Sequence, residues 1–480
     1  MIIRPKSALE KLDGAVIAGA LKDFMAGEGR RKQLRAYYDG EHAILQRKRH
    51  SKWSANNKIV VNRAAYIVRI ASAYLIGNPA SYASEQQSDA VRLITEAYRR
   101  TSTESADMEL AKAASEQGRG VEIVYASEES EPRVAAIDPR IAFVVYDDAV
   151  AHDPLFGIQI ADEQDETGKT TGIIAIVYTA SDIRSYRLPA RGGIGGMQKS
   201  DWDNARLTEA EPPRAHMFGG VPLVEYWNNA EERGDFEPVI GLLDAYNLLT
   251  SDRVNDKEQL VNALLVVIGA KLGKSTEEAV QTMQKIMEER VIELPSGTPG
   301  APVDAKYLIK QLTESDVQIL CDSIKEDIHA ISMVPNLSDK NFAGAASGVA
   351  LRYKLIAFEQ FTKEKERWFR EGLETRLRLF ARYLIAQSRI PADFSVEDVE
   401  ITFTRGLPVN DVEQAQVVQT LQGIVPDKIL LRFLDIIKDP DLALEMLQTQ
   451  KDEKAKEDAQ RYGLPYPDAN NRQPEVSANA

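Results

Sequence analysis

The sequence predicts an α+β fold drawn out into an elongated subunit with a protruding tip. Three observations carry that prediction. Up to about residue 236, runs of β-branched and aromatic residues alternate with turn residues, whereas beyond it the apolar spacing takes the helical period. Two long helical patterns then bracket a short mixed stretch, residues 266–309. A third and longer helical pattern begins behind Ser347.

The elements follow in order. Helical spacing runs through SALEKLDGAVIAGALKDFMA and IVVNRAAYIVRIASAYLIG, and the second stretch closes on Gly77, Asn78 and Pro79, which stop a helix. Strand-like runs follow at GVEIVYAS, RVAAIDPRIAFVVYDD, LFGIQIAD, GIIAIVYTASDIRSYRL and VPLVEYWN. The glycine-rich RGGIGGMQKS among them reads as a flexible connection, since its glycines do not lead into a helix as a dinucleotide site requires.

In EPVIGLLDAYNLLTSDRVNDKEQLVNALL, residues Val239, Leu242, Leu243, Tyr246, Leu249 and Leu260 fall mostly on one helical face. Such a helix would be about 40 Å long. TESDVQILCDSIKEDIHAIS repeats the pattern through Val317, Leu320, Cys321, Ile324, Ile328 and Ile331, with Thr313 as its expected cap. The stretch between them holds a strand, the helix TEEAVQTMQKIMEERV, a strand VIEL and the turn PSGTPGAP. After MVPNLSDKNFAGAAS, whose Pro335 and small residues disfavour regular structure, the third helix runs from Gly348 to about Ile390, with Gly372 marking a bend. A strand in EDVEITFTRGLP, a capping box at Asn410 and Glu413, and shorter helices, one opened by Asp439-Pro440, lead to a polar tail expected to be disordered.

Composition narrows the function. Against 59 Lys+Arg stand 73 Asp+Glu, a formal charge of -14, which excludes a chain-wide grip on nucleic-acid phosphates. Any DNA contact must be local or weak. The single cysteine, Cys321, excludes an intrachain disulfide or a paired-cysteine metal site and fits synthesis in a reducing cytoplasm. The sequence opens without the apolar stretch of a secretory signal, and no run approaches the ~20 apolar residues of a membrane span, so a soluble protein that binds no membrane is expected.

One stretch imitates a nucleotide site. In ALLVVIGAKLGKSTEEAV an apolar run leads to Gly273, Lys274 and Ser275 and then to a helix. A phosphate-cradling loop needs four residues between its glycines, and Gly269 and Gly273 enclose three. The position that would complete the motif is Ile268, a β-branched residue poorly suited to positive φ. A strand, turn and helix without a nucleotide is the expectation.

The order of elements and several local strings resemble the portal proteins of tailed bacteriophages, in particular the large family of long-tailed phages and prophages of Gram-positive bacteria. The strings are YYDGEHAIL, NNKIVVNRAAYIVRIASAYLIGNPASY and AIDPRIAFVVYDD, then FGGVPLVEYWNN leading to LLDAYNLLTSDRVND, then AGAASGVALRYKL and FEQFTKEKERWFREGL. They lie in the family's order over about residues 37–410. The resemblance implies an elongated portal fold in which residues 1–236 form a mixed α/β wing, 237–265 and 310–333 a two-helix stem, and 266–309 a small clip. It further implies a tunnel loop at 334–347, a long wing helix and strand at 348–410, and a helical crown with its tail at 411–480. It implies a dodecameric, homo-oligomeric ring at one capsid vertex of the virion, assembled in the host cytoplasm and passing double-stranded DNA during packaging and ejection. The implied partners are the terminase large subunit, a head–tail adaptor, and the major capsid and scaffolding proteins. ATP hydrolysis would belong to the terminase, leaving this chain without cofactor, metal or catalysis. GIVPDKILLRFLDIIKDPDLALEML departs from the family by lacking the Ser/Thr-rich turn that similar proteins often show there.

Site residues follow from that frame. In the tunnel loop Asn336, Ser338, Asp339, Lys340, Asn341 and Phe342 are candidates to touch DNA, Lys340 at a phosphate and the asparagines at sugar or phosphate oxygens. On the stem, Asp252, Asp256, Glu258, Asp322 and Glu326 are candidates to face the bore, where they would repel the polymer at short range and act as a low-friction lining. A solvated helix face is the plainer alternative. The basic run LQRKRHSKW reads as a nucleic-acid contact or, better suited to the acidic total, as a solvated loop or an intersubunit contact. Asp147, Asp148 and Asp153 read as turn residues rather than a cation site, and the five dispersed histidines form no metal or triad pattern. Two rivals remain: a nucleotide-hydrolysing enzyme, which the glycine spacing disfavours, and a capsid or tail scaffold protein that never surrounds DNA.

Overall fold

The computed structural model describes residues 1–49, 55–190, 192–197, 201–202, 205–261, 264–268, 275–289, 304–308, 314–337, 348–405, 416, 418–431, 443–444, 446–451 and 453–454. The chain divides into two compact units, residues 1–339 with 354–406, and residues 340–353 with 407–480.

The first unit opens with β1 (Ile2–Ile3), α1 (Ser7–Lys11), α2 (Gly14–Ala26) and α3 (Glu28–Asp39). The helical pattern expected to run through SALEKLDGAVIAGALKDFMA is therefore two helices. Asp13 divides them: its extended backbone starts α2, and its carboxylate accepts the Ala15 and Val16 N–H groups, both at 3.0 Å. α4 (Arg63–Ile76) begins later than the spacing suggested, behind an Asn62 cap whose side chain accepts the Ala65 N–H at 3.0 Å. Residues 55–62 thereby stay outside regular structure, as an arm. After β2 (Ser81–Ala83) come α5 (Ser88–Arg100) and α6 (Thr103–Gln117), helices that the reading of the sequence did not identify.

The strand region holds β3 (Arg119–Ala126), β4 (Pro132–Ile137), β5 (Ala142–Tyr146), β6 (Pro154–Gln164), β7 (Thr170–Tyr178) and β8 (Asp182–Pro189). The run RVAAIDPRIAFVVYDD is split at its Asp-Pro into β4 and β5, which join different sheets. One sheet has the order β1-β5-β6-β7-β8-β9, with β9 at Thr208–Ala215; the other has the order β10-β3-β4, with β10 at Leu223–Trp227. Strand β9 went unanticipated because TEAEPPRA has neither alternation nor β-branched bulk. It is an exposed edge, and Pro212 and Pro213 deny hydrogen-bond donors to any further strand. The glycine-rich stretch after β8 is not merely a connection. α7 (Gly193–Gly196) is one helical turn held where Asp162 accepts the Ile194 N–H at 2.7 Å.

Beyond β10 the chain becomes helical, as the change in period predicts. α8 (Ile240–Val261) and α10 (Glu314–Ser332) pack side by side and flank a small insert, in which β11 (Leu264–Ile268) pairs antiparallel with β12 (Asp304–Leu308) and α9 (Thr276–Glu289) lies between them in sequence. The expected strand VIEL falls outside the described residues, as do Thr313, the Asn410–Glu413 box and Asp439-Pro440. α11 (Gly348–Ala386) is the long third helix, ending four residues short of Ile390, and the strand after it is β13 (Glu400–Thr402), paired with β2. Gly372 has a packing role: a Cβ there would lie 2.4 Å from the Tyr226 ring, so the glycine lets β10 and α11 approach.

Three apolar clusters lie among the described residues of this unit, the smallest of them, with Val121, Val144, Tyr178 and Leu223, formed by strands of both sheets. Phe24 of α2 stacks on Phe143 of β5 at 4.2 Å over the large sheet. The second core gathers α5, α6, the three-stranded sheet and α11 around Tyr98, Tyr226, Phe369 and Phe380. Within it the fully buried Arg376 of α11 forks onto Glu122 of β3, with Nη2 2.6 Å from Oε2, while Tyr226 donates to the same carboxylate at 2.7 Å. A second buried pair, Lys365 with Asp235, fixes α11 further toward its start, and Asp235 also accepts from Ser115 and Asn228. Charges removed from water in this way require such complete pairing.

In the second unit the described residues include α12 (Asp427–Leu431), preceded by a turn at Gly423 with φ +82° and a bridge between Gln422 and Val425.

Candidate functional site

The apolar stripe expected along α8 holds only in its first turns, where Val239, in the preceding 3-10 turn, and Leu243 are buried. Further along, the buried positions are Asn247, Ser251 and Asn255, while Leu248 is exposed. The reason lies in the arm. Val61 N–H donates to Asn247 Oδ1 at 2.9 Å, Ile59 N–H to Ser251 Oγ at 2.9 Å, and Asn57 N–H to Asn255 Oδ1 at 2.7 Å. Every second residue of an extended chain advances about 6.6 Å and every fourth residue of a helix about 6 Å, so the two rows match over three contacts. A row of side chains replaces the strand partner that the arm lacks. Asn247 also donates from Nδ2 to His42 Nδ1 at 2.9 Å, and His42 Nε2 lies 3.1 Å from the Tyr37 carbonyl.

This arrangement re-places the acidic candidates. Asp252 forms an ion pair with Arg47, which belongs to the basic run, and Glu258 accepts from Asn57 Nδ2 at 2.6 Å. Both carboxylates are thus engaged by the N-terminal part of their own chain, because Arg47 and the arm cross the same side of α8. The basic run makes at least this intrachain contact; its residues 50–53 fall outside the described ones. Asp256 is half-buried. On α10, Asp322 accepts from Gln318 at 2.8 Å and pairs with Lys325 at 3.0 Å, contacts that hold its carboxyl below the usual carboxylate range, whereas Glu326 is exposed. Arg253 Nη1 donates to Gln318 Oε1 at 2.7 Å and ties α8 to α10. The stripe expected on α10 is half right: Cys321 and Ile328 are buried, but Leu320 and Ile331 are about half exposed.

The chain leaving α10 is held by α4. Met333 takes φ +56° and turns the backbone out of the helix. His329 Nδ1–H then donates to the Val334 carbonyl at 2.8 Å, which leaves Nε2 to accept from Arg63 at 3.1 Å. The Tyr66 hydroxyl donates to the Pro335 carbonyl at 3.1 Å and accepts the Leu337 N–H at 2.8 Å. Asn336, the described member of the tunnel-loop set, is half-buried between those two pinned residues. Ser338, Asp339, Lys340, Asn341 and Phe342 lie outside the described residues. Arg63 and Tyr66 were missed because their partners lie more than 260 positions away; the helical pattern around them gave no sign of it.

The remaining motifs have local uses. Gly269, Gly273 and Lys274 fall outside the described residues, but Ser275 Oγ accepts the Glu278 N–H at 3.2 Å and so caps α9. Asp147 is a turn residue: it accepts from Asp153 N–H at 2.9 Å and pairs with Lys6 at 3.2 Å. Burial works against ionisation there, yet Lys6 and the backbone donors hold its carboxyl below the ordinary value. His152 and His216 each meet a backbone carbonyl, and among the described residues no cluster of His, Cys, Asp or Glu could hold a metal ion. Among the same residues no helix is long and apolar enough to cross a membrane.

Comparison with known proteins matches residues 29–458 to the family described as phage portal protein, SPP1 Gp6-like. Two similar relatives are portal proteins. One, from Clostridium phage phiCD119, is 24% identical over 236 residues, 49% of this chain and 50% of its own length, so the match spans half of that relative. The other, from Bacillus phage SPP1, is 23% identical over 452 residues, 90% of this chain and 83% of its own length. Solved structures that resemble the fold include the neck of an empty GTA particle computed with C6 symmetry and the neck of a native GTA particle computed with C12 symmetry. Both have a TM-score of 0.42, at 12% and 11% identity, covering 77% and 78% of this chain and 89% of each of those chains.

Proposed function

The chain belongs to the SPP1 Gp6-like family of phage portal proteins, and from that premise we propose that its copies close into a homo-oligomeric ring, a dodecamer, at one vertex of the capsid, through which double-stranded DNA is packaged and later ejected. The observation that carries this reading is the family match over residues 29–458, which takes in the two packed helices and the insert between them. In this reading α8 and α10 belong to the stem (237–265 and 310–333), the insert at 266–309 is the clip, and the segment 334–347 enters the bore. Residues 1–236 with 348–410 form the wing, and 411–480 the crown and tail.

The clip meets the terminase large subunit and then the head–tail adaptor, while capsid and scaffolding proteins surround the ring. The protein works by geometry and carries out no chemistry of its own. Support for that comes from the glycine spacing, one residue short of a phosphate-binding loop, and from Ser275, whose hydroxyl caps a helix. The low-friction lining now rests on fewer groups. Asp252 is paired with Arg47 and Asp322 with Lys325, whereas Glu258 accepts a hydrogen bond from the neutral Asn57 amide and keeps its charge, which makes Glu326 and Glu258 the first acids to test.

Replacing the chain's gene by a null allele in the phage or prophage that encodes it tests the reading. Particles should then form without packaged DNA, and supplying the chain in trans should restore full genomes. DNA-filled heads in its absence would contradict the proposal.

A further inference from the structure

We propose that Tyr66 is a positioning residue for the DNA path, and that it acts by fixing Asn336. The inference rests on the portal reading and deepens it. One hydroxyl holds the backbone on both sides of Asn336, since it donates to the Pro335 carbonyl at 3.1 Å and accepts the Leu337 N–H at 2.8 Å. Both contacts are to main chain, so they set where the peptide lies without using its side chains. The Asn336 side chain remains free of that hold and is half-exposed between the two anchors.

The holder is itself held. The Tyr66 ring meets the His329 ring edge-on at 5.7 Å between centroids. His329 bonds Val334, and Arg63, one turn before Tyr66 on α4, bonds His329 at 3.1 Å and lies 5.0 Å over the Tyr246 ring of α8. Residues from α4, α8 and α10 thus fix a short exit of chain, the backbone of which turns at Met333 with positive φ. An amide on such a rigid exit can offer its N–H groups or its oxygen to a passing sugar–phosphate backbone without ordering itself at each encounter. A tyrosine that only filled core space would not need its hydroxyl. Here the hydroxyl makes both bonds.

The test combines Tyr66→Phe, Asn336→Ala and the double variant, each supplied during particle assembly in place of the wild-type chain. Tyr66→Phe keeps the ring and removes both bonds. Amide exchange at Leu337, followed in the purified full chain, should accelerate at least ~10-fold in Tyr66→Phe, because its acceptor is gone. Packaged DNA per particle should fall by a similar factor in Tyr66→Phe and in Asn336→Ala, with the double variant no worse than either single one, as expected for two residues acting as a unit. A merely structural tyrosine would give losses that multiply. Unchanged Leu337 exchange overturns the clamp. Faster exchange with wild-type packaging in all three variants overturns the DNA role of Asn336, and with it the reading of this exit as part of the bore. Multiplying losses overturn positioning through Asn336.

Discussion

His42 sits at the junction of α3 and α8, with Nε2 3.1 Å from the Tyr37 carbonyl and Nδ1 accepting from Asn247 at 2.9 Å. Both ring nitrogens are used, one as donor and one as acceptor, so the neutral ring fits and the imidazolium does not. Burial lowers its pKa below the ordinary value near 6.5, and the same cause lowers that of His216. Because the folded value lies below the unfolded one, the stabilising contribution is complete above pH ~6.5 and is lost as pH falls through the lower, folded value. Denaturant melts of the full chain should therefore show stability falling as pH drops below about 6.5, and His42→Gln should reduce that slope. At this scale the sequence was readable where a residue serves its own neighbourhood, as Asp147 does in its turn. It was not readable for Asn247, whose amide is shared between residues about 190 and 200 positions away.

Along α8 the pairing of a helix face with an extended arm yields an uneven sensitivity. Asn247→Leu would take their Asn247 partner from the Val61 N–H and His42 Nδ1, at about 1–3 kcal/mol for the buried imidazole and less for the part-buried N–H. Asp252→Ala breaks an ion pair between two partly exposed side chains, which is worth about 0–1 kcal/mol. Chemical denaturation should rank the first far above the second; equal losses would mean that the arm is not held by its backbone. The element itself was legible because its period and length are local properties of the chain. Its buried face was not, since an arm whose N–H groups lack a strand partner leaves no trace in the spacing of apolar residues on α8. β9 shows the opposite limit: its pairing with β8 is a long-range fact imposed on a segment of poor strand propensity. The one-helix reading of residues 7–26 failed for a local reason, because Asp13 prefers to cap a new helix to continuing the old one.

For the whole molecule, a balance of -14 suits the DNA passage proposed above better than a grip on phosphates. The order of helix, insert and helix was visible in the sequence because each change of period is abrupt there. The links that hold the exit near Asn336 were not, since they join α4 to α10 across more than 260 residues. The central claim is that copies of this chain enclose a passage. Electron microscopy of the particles formed by the purified full-length chain, taken at concentrations where it self-associates, tests it most directly. The account predicts closed rings with an axial hole wide enough for double-stranded DNA; sheets, open spirals or solid clusters without a hole would contradict it.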